Sequence, residues 1–205
     1  MFKRIKNIIV SPKSEWDVIE SENAPHLTVL VKYVLPLSLI TLVSAFTGYG
    51  IYFLISHNHM PFGWVVGHAI GWGIRQAIIQ WAIMVIGIYA LAFIINVFAK
   101  FFDAEKNFNK SFSLVAYAYT PLLLGGIFYI LPIVFWMAFI PGIYSLYLIY
   151  SGLQPITKAP DSKKAAYFFA SIGTMAIAVA TIWFITWLFL VIRSYILYGT
   201  YYYGF

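Results

Sequence analysis

The sequence lacks cysteine altogether, which excludes disulfides, thiolate metal sites and cysteine nucleophiles. It is also poor in charge, because Asp, Glu, Lys and Arg make up 10% of the 205 residues, against about 25% in ordinary globular proteins. Apolar residues make up 62% of the chain and aromatic residues 20%. A surface that faces water needs more charge than this. The composition therefore predicts an integral membrane protein.

Five apolar stretches are long enough to cross a bilayer as helices, which takes roughly 20 residues each. They cover residues 33–55, 77–98, 112–130, 134–153 and 165–192. The predicted fold class is all-α, with five transmembrane helices. The predicted layout is an amphipathic segment over 1–31, a membrane domain over 32–198 and a short aromatic tail over 199–205. A four-span alternative, in which the third and fourth stretches form a buried hairpin, fits the charge distribution as well.

Positive charge is concentrated on one side of this layout. Eleven of the 13 basic residues precede the first span or lie in the second and fourth connectors, and only Arg75 and Arg193 lie elsewhere. Cytoplasmic loops carry the excess of Lys and Arg, so we expect a cytoplasmic amino terminus and an external carboxyl terminus, in the inner membrane if the protein is bacterial. None of the 7 Asp and Glu residues falls within a span, which disfavours a carboxylate-based proton relay.

The first ten residues have the pattern of an amphipathic helix. One face carries Met1, Phe2, Ile5, Ile8 and Ile9, and the other carries Lys3, Arg4, Lys6 and Asn7. Such a helix is typical of the lipid headgroup plane. We expect Phe2 and Ile5 to enter the acyl boundary, while the cations Lys3, Arg4 and Lys6 face anionic lipid. The alternative is that this segment packs against the cytoplasmic end of the bundle.

Small residues recur at steps of three and four in two spans, a spacing that lets helices approach closely. They are Ser38, Thr41, Ala45 and Gly48 in the first span and Ser171, Thr174, Ala178 and Thr181 in the fifth. Both stripes are predicted to face the interior of the bundle. A third run precedes the second span and is predicted to pack either within the chain or against a second copy: Gly63, Gly67 and Gly71.

This glycine run also bears on the course of the second span. A helix continuous from Phe62 to Phe98 would be about 55 Å long, far longer than a hydrocarbon core of about 30 Å. We therefore expect a break or a sharp tilt near Gly71–Gly73, with residues 62–74 forming an interfacial or re-entrant helix or belonging to the second span. Prolines are expected to interrupt the third and fourth spans, because they break helical hydrogen bonding: Pro121, Pro132 and Pro141.

Few side chains suggest chemistry. Gln80 and Asn96, in the second span, are predicted to hydrogen-bond to neighbouring helices, an ordinary structural role. The candidate metal ligands are His57, His59 and His68, although no carboxylate accompanies them and histidines at the membrane interface are the alternative. The sequence has no recognised nucleophile motif, so neither an enzyme nor a cofactor is predicted. The tyrosines near the end of the chain are typical of interface anchors, and no nucleic-acid partner is indicated.

Several short motifs together resemble one known family. They are Ser11-Pro12 with Glu15-Trp16, Tyr33-Val34-Leu35-Pro36-Leu37, Ala116-Tyr117 with Thr120-Pro121-Leu122, Gly142-Ile143-Tyr144, and Lys158-Ala159-Pro160. This set is similar to bacterial members of the Yip-one (Ypt-interacting-protein) family. The resemblance implies a five-helix membrane fold with a cytoplasmic amino terminus. The acidic-Leu-Tyr-Gly-Pro signature of the eukaryotic members is missing, so contact with a Rab-type GTPase is not carried over.

Three classes of function follow from these observations. The first is a non-enzymatic membrane protein that organises or recruits, with the lipid bilayer, anionic lipids, itself or other membrane proteins as its partners. The alternative is a transporter or channel for a small solute, with a pathway lined by the expected helix breaks. A membrane-embedded enzyme ranks last, because no constellation of acid, base and nucleophile is visible.

Overall fold

The computed structural model describes residues 1–131 and 133–203, excluding the side chains of Phe135 and residues 195–203. Over this part of the chain it is helical, without β-strands. Pro132 and the side chains of the predicted aromatic tail lie outside the described residues. The helices are α1 (Phe2–Val10), α2 (Pro12–Glu22), α3 (His26–Val29), α4 (Leu35–Ser56), α5 (Phe62–Phe98), α6 (Phe108–Ala118), α7 (Thr120–Gly125), α8 (Phe139–Thr157) and α9 (Asp161–Tyr203).

Four continuous helices are long and apolar enough to cross a membrane. The first joins α3 to α4 through a π-helical turn over Leu30–Val34, and the second is α5 extended by a 3-10 turn over Ala99–Phe102. The third is α8 with its preceding turn, and the fourth is α9. The bent pair α6 and α7, with the 3-10 turn after it, makes a fifth if it counts as one span. The prediction of an all-α membrane protein is confirmed.

The third apolar stretch bends by 40° between α6 and α7, next to Pro121. A proline has no N–H to donate to the carbonyl four residues earlier, which here is the carbonyl of Tyr117. The Thr120 hydroxyl donates to that carbonyl instead, at 2.6 Å. The Tyr117 carbonyl therefore stays paired at the bend, and this span does not run straight. Pro141, by contrast, lies in the first turn of α8, where a proline is tolerated.

Of the break and the sharp tilt expected near Gly71–Gly73, the break does not occur. α5 is helical without interruption from Phe62 to Phe98. Gly73 is buried against α4, where an added Cβ would lie 2.9 Å from the Phe46 carbonyl oxygen. Its role is thus to let two long helices approach, and α4 holds this part of α5 in place. At about 55 Å, α5 crosses the hydrocarbon core at a strong tilt or extends beyond it.

The small-residue stripe of α4 is buried at all four positions. It receives α7 and the 3-10 turn Gly126–Ile130 that follows α7. The Thr41 hydroxyl donates to the Leu123 carbonyl at 3.2 Å, and an added Cβ on Gly48 would collide with the Tyr129 carbonyl. Small side chains here admit the backbone of the bent span, as expected where helices pack closely in a membrane.

The corresponding stripe of α9 faces inward only at its start, which corrects the prediction. Ser171 is buried and Thr174 half-buried, but Ala178 and Thr181 are exposed. α9 packs on α5, α8 and the turn Ala99–Phe102 through its first turns. Beyond Met175 its described side chains are exposed, except for the half-buried Val191. Small residues permit close packing but do not require it, so the spacing alone could not locate the point where α9 leaves the bundle.

Candidate functional site at the amino-terminal end of the bundle

Three separate parts of the chain meet at one end of the bundle. They are the hairpin of α1 and α2, the connector 103–107 between α5 and α6, and the connector 158–160 between α8 and α9. The Glu105 N–H donates to the Thr157 carbonyl at 2.7 Å, which joins the two connectors directly. The Lys163 ammonium pairs with the Asp103 carboxylate across the same junction. This end of the molecule therefore collects most of its charged side chains.

α2 is fixed to α8 by a buried indole. Trp16 is fully buried, and its Nε1–H donates to the Ser151 hydroxyl oxygen at 3.1 Å. The ring lies on Gly152, where an added Cβ would meet the indole and the Leu114 side chain. A larger residue at Gly152 would push Trp16 out. In the sequence, Trp16 stands out only as part of a family motif. The residues around it do not indicate which distant glycine contacts the indole.

A carboxylate on α2 serves as the centre of an ion-pair network. Glu20 lies 3.0 Å from the Lys158 ammonium and 3.2 Å from that of Lys110, and Lys110 also lies 2.7 Å from Glu105. The hydrogen bonds and charges of Lys158 and Lys110 hold the pKa of Glu20 below its ordinary value. Glu20 therefore ties α2 to both connectors. Sequence reasoning did not single it out, since the partners lie far apart along the chain.

The apolar face of α1 packs on protein, so the structure favours the alternative that the sequence had left open. Ile8 is fully buried, and Ile5 and Ile9 pack half-buried against the same core. The Tyr144 hydroxyl on α8 donates to the Ile9 carbonyl at 2.6 Å. The amphipathic pattern was read correctly, but a pattern shows only that one face is covered. Here the hydrophobic core of the bundle covers that face, and Ile5 is not directed to lipid.

Arg4 likewise faces protein and not solvent. Its side chain is 17% exposed, with Nη1 2.9 Å from the Glu15 carboxylate and Nη2 paired with Glu22. Its guanidinium lies 5.3 Å from the centre of the Tyr117 ring. Burial by itself would lower the pKa of Arg4, but the hydrogen bond to Glu22 and the two carboxylate charges raise it above the ordinary value. Arg4 is therefore a charged clamp between α1 and α2.

The remaining residues of the predicted membrane-surface set stay exposed. Phe2 is 83% exposed, and Lys3 and Lys6 are exposed beside it. Val10 extends the same edge by one turn and is 68% exposed. Residues 2, 6 and 10 follow one another at steps of four, so they form a stripe along α1. We call Phe2, Lys3, Lys6 and Val10 the α1 edge. It combines apolar and cationic side chains on a helix that the rest of the site holds in place.

The two polar residues of the second span have different surroundings. The Gln80 amide nitrogen lies 3.5 Å from the Tyr129 hydroxyl, at the limit of a hydrogen bond, and so reaches a neighbouring element. The Asn96 side-chain oxygen is buried without a hydrogen-bond partner. Gln80 thus reaches a neighbouring element, as predicted. The Asn96 side-chain oxygen makes no such hydrogen bond among the described residues.

The glycine run at the opposite end of the bundle has no partner within the described chain. Gly63, Gly67 and Gly71 are exposed, and no described atom lies within 4 Å of a Cβ added to any of them. They line a cavity of about 480 Å³ together with the aromatic side chains Phe53, Trp64 and Trp72. Of the two predicted packings for this run, the one within the chain does not occur among the described residues.

The candidate metal ligands lie near that same end. The rings of His57 and His59 are 6.3 Å apart, whereas His68 stacks on Trp64 at 3.9 Å. The Nδ1 atoms of His57 and His68 lie 3.1 and 2.8 Å from carbonyl oxygens of their own helices. Among the described residues, no group of three His, Asp or Glu side chains is placed to hold a metal ion.

A comparison with protein families adds one finding. The family model described as the Yip1 domain matches residues 6–184, which is most of the chain. No curated protein and no solved structure matches the chain. The matched range includes the helices from α2 to α8 and the ion-pair network around Glu20. It ends within the exposed part of α9.

Proposed function

Because the chain belongs to the Yip1 family and is an integral membrane protein, we propose that it organises its membrane or recruits other components to it, without enzymatic activity. Lipid contact and association between helices are the two means by which it acts. The observation that carries this proposal is the α1 edge. A basic and apolar stripe is held on a fixed hairpin at the end of a membrane bundle.

The physical case for lipid contact rests on what the α1 edge exposes. Phe2 and Val10 have apolar side chains that gain free energy on entering the acyl boundary, and Lys3 and Lys6 are attracted to anionic headgroups. Arg4, Ile8 and the Tyr144 hydroxyl fix α1 from its other side. The helix therefore does not lose its folding contacts when the edge meets lipid. This contact involves fewer residues of α1 than the sequence suggested.

The case for helix association rests on two uncovered faces. Between Ile177 and Ile192 the large apolar side chains of α9 are exposed. The glycine face of α5 is also open, and glycines at steps of four let a second helix approach closely in a bilayer. Either face suits a partner helix, from a second copy or from another membrane protein.

Orientation follows from charge as part of the same proposal. The amino-terminal end holds the α1 edge and most of the lysines of the chain, and an excess of Lys and Arg marks the cytoplasmic side. Five crossings, with the bent α6 and α7 counted as one span, place the carboxyl terminus on the opposite side. The α1 edge then faces the cytoplasmic leaflet, where anionic lipids give a negative surface potential.

The experiment uses the absence of cysteine, which makes an introduced cysteine the single labelling site. A Phe2→Cys protein carries an environment-sensitive fluorophore and is reconstituted into vesicles of phosphatidylcholine with or without phosphatidylglycerol. We expect quenching by acyl-chain quenchers in the anionic vesicles, and a loss of that quenching in the K3Q/K6Q background. K100Q/K106Q is the matched control, because it removes two exposed lysines from the same end.

Equal exposure to water in both vesicle types would overturn the lipid contact. An equal loss of quenching in K100Q/K106Q would also overturn it. The attraction would then depend on the total charge of this end and not on Lys3 and Lys6. Transport is tested in the same proteoliposomes by swelling assays with small neutral solutes. Solute flux that depends on the protein would assign it to the alternative function instead.

A further inference from the structure

A second cavity lies at the amino-terminal end, away from the α1 edge. Its volume is about 540 Å³, and it is bounded by α2, α8 and the first turns of α9. We call it the α2–α8–α9 cavity. The residues of its lining that matter here are Lys13 and Asp17 from α2, Tyr150 and Ser151 from α8, and Lys164 from α9. Three elements thus contribute charged or polar side chains to one concave site.

Two of these side chains make the cavity cationic. The Lys164 ammonium lies 4.6 Å from the centre of the Tyr150 ring, which positions the charge by a cation–π contact. Within the described part of the chain, neither Lys13 nor Lys164 has a carboxylate at ion-pair distance, although the other lysines near them, Lys110, Lys158 and Lys163, do. Asp17 also lines the cavity, so the three charged side chains sum to one positive charge.

The cavity also offers acceptors. Pro155 lines it and lies inside α8, so the Ser151 carbonyl has no N–H four residues further on. The Ser151 hydroxyl is already used, because it donates to the Leu148 carbonyl and accepts from Trp16. The Ser151 carbonyl, which Pro155 deprives of this helical donor, and the Asp17 carboxylate can therefore accept hydrogen bonds from a ligand that has donors next to its negative charge.

The surroundings indicate that such a ligand also has an apolar part. Toward the middle of the bundle, the turn of α8 before Tyr147 and Tyr150 exposes Ile143 and Leu146, and Phe168 on α9 packs edge-to-face on the Tyr150 ring, with 5.3 Å between the ring centres. Tyrosines at the end of a membrane helix are typical of the interface between headgroups and acyl chains. A molecule with its anionic group at the two lysines would continue along an apolar surface.

We propose that the α2–α8–α9 cavity is a binding site for the headgroup of one anionic glycerophospholipid. Its phosphodiester lies between Lys13 and Lys164, and headgroup hydroxyls donate to Asp17 and to the Ser151 carbonyl. Basic pockets between membrane helices are a known means of headgroup recognition. This inference goes beyond the proposed function, because it assigns a single bound lipid to a site that the α1 edge does not share.

The test is native mass spectrometry of the full chain in detergent, titrated with phosphatidylglycerol or phosphatidylcholine. We expect one phosphatidylglycerol to be retained per chain, in preference to phosphatidylcholine. K13Q/K164Q should weaken this binding by about 10- to 30-fold, as expected for two cations that each contribute near a lipid surface. K13R/K164R should keep it, because both charges remain. K100Q/K106Q is the matched control, because it removes two exposed lysines that belong neither to the cavity nor to the α1 edge.

Three results would overturn this assignment. The first is unchanged phosphatidylglycerol binding in a folded K13Q/K164Q protein, with folding checked by circular dichroism. The second is an equal loss in K100Q/K106Q, which would indicate general surface attraction. The third is displacement of the lipid by millimolar inorganic phosphate or glycerol phosphate, which would make the site one for a soluble anion. If the vesicle experiment shows no lipid contact of the α1 edge, these three outcomes keep their meaning. The two proposals are therefore tested separately.

Discussion

Trp16 on α2 and Gly152 on α8 are in direct contact, with the indole filling the space that a side chain at Gly152 would need. The indole N–H is bound to the neighbouring Ser151 at 3.1 Å. This contact joins the amino-terminal hairpin to the membrane bundle, together with the Glu20 ion pairs and the hydrogen bond from Tyr144 to Ile9. The α1 edge on one side of the hairpin and the α2–α8–α9 cavity on the other both depend on it.

A Gly152→Ala substitution should therefore loosen the hairpin. The added methyl group collides with Trp16 and Leu114, and overpacking of this kind costs about 1–3 kcal/mol. We expect a lower thermal unfolding midpoint in detergent, and faster proteolysis in the connector after α2. Gly173→Ala is the control, because a Cβ there meets nothing within 4 Å. Equal midpoints for the two variants would contradict the contact.

Gly48 and Gly67 should respond in opposite ways to alanine. Gly48→Ala forces the backbone of Tyr129 away from α4, and we expect a loss of about 1–3 kcal/mol in the free energy of unfolding. Gly67→Ala meets nothing in this chain, so it should be neutral or stabilising by up to about 1 kcal/mol through helix propensity. Thermal unfolding of both variants measures the difference. A destabilised Gly67→Ala protein would show that this glycine is covered.

Arg4 should matter for the folding of α1, whereas its neighbouring lysines should not. Arg4→Gln leaves the buried Glu15 carboxylate with only the Asn7 amide as a partner, at 2.8 Å. Leaving a buried charged group short of a partner costs about 1–3 kcal/mol. Hydrogen exchange of the amides in residues 2–10 should accelerate in this variant. Lys3→Gln and Lys6→Gln, at exposed positions, should leave the exchange rates unchanged.

The lowered pKa of Glu20 predicts how acid affects the attachment of α2. A carboxylate whose pKa is lower in the folded state stabilises that state above its unfolded pKa, and this contribution is lost as the pH falls through the folded pKa. The thermal midpoint of the natural protein should fall between pH 6 and about pH 3. Glu20→Gln should lower the midpoint at pH 6 and flatten this dependence. Asp17→Asn is the control, since Asp17 makes no ion pair in the described structure. An unchanged slope in the Glu20→Gln protein would contradict the prediction.

The course of α9 can be tested with two leucine substitutions. Ser171→Leu inserts a large side chain into a filled site and should destabilise by about 1–3 kcal/mol. Ala178→Leu, two turns further on, should be tolerated because that position is exposed. Unfolding of both variants as monomers in detergent distinguishes them. Destabilisation of both would show that α9 stays in the bundle beyond Thr174.

The amino-acid sequence by itself determined where the membrane helices lie. Each of the five apolar stretches corresponds to a helix or to the bent pair, because crossing the hydrocarbon core requires a fixed length of apolar residues. It also determined the bend near Pro121, since a missing N–H has a local effect that needs no partner. The charged connectors also lie together at one end, as expected from the uneven distribution of Lys and Arg between the two sides of a membrane protein.

Only the tertiary structure decided what covers each face. The apolar stripe of α1 suits lipid and protein equally, and the bundle happened to offer Ile8 a fully buried site. Gly73, near which a break or a sharp tilt was expected, serves a close approach to Phe46 on α4. Lys13 and Lys164, about 150 residues apart in the sequence, share one cavity. Such pairings depend on contacts between distant segments, which neither composition nor periodicity encodes.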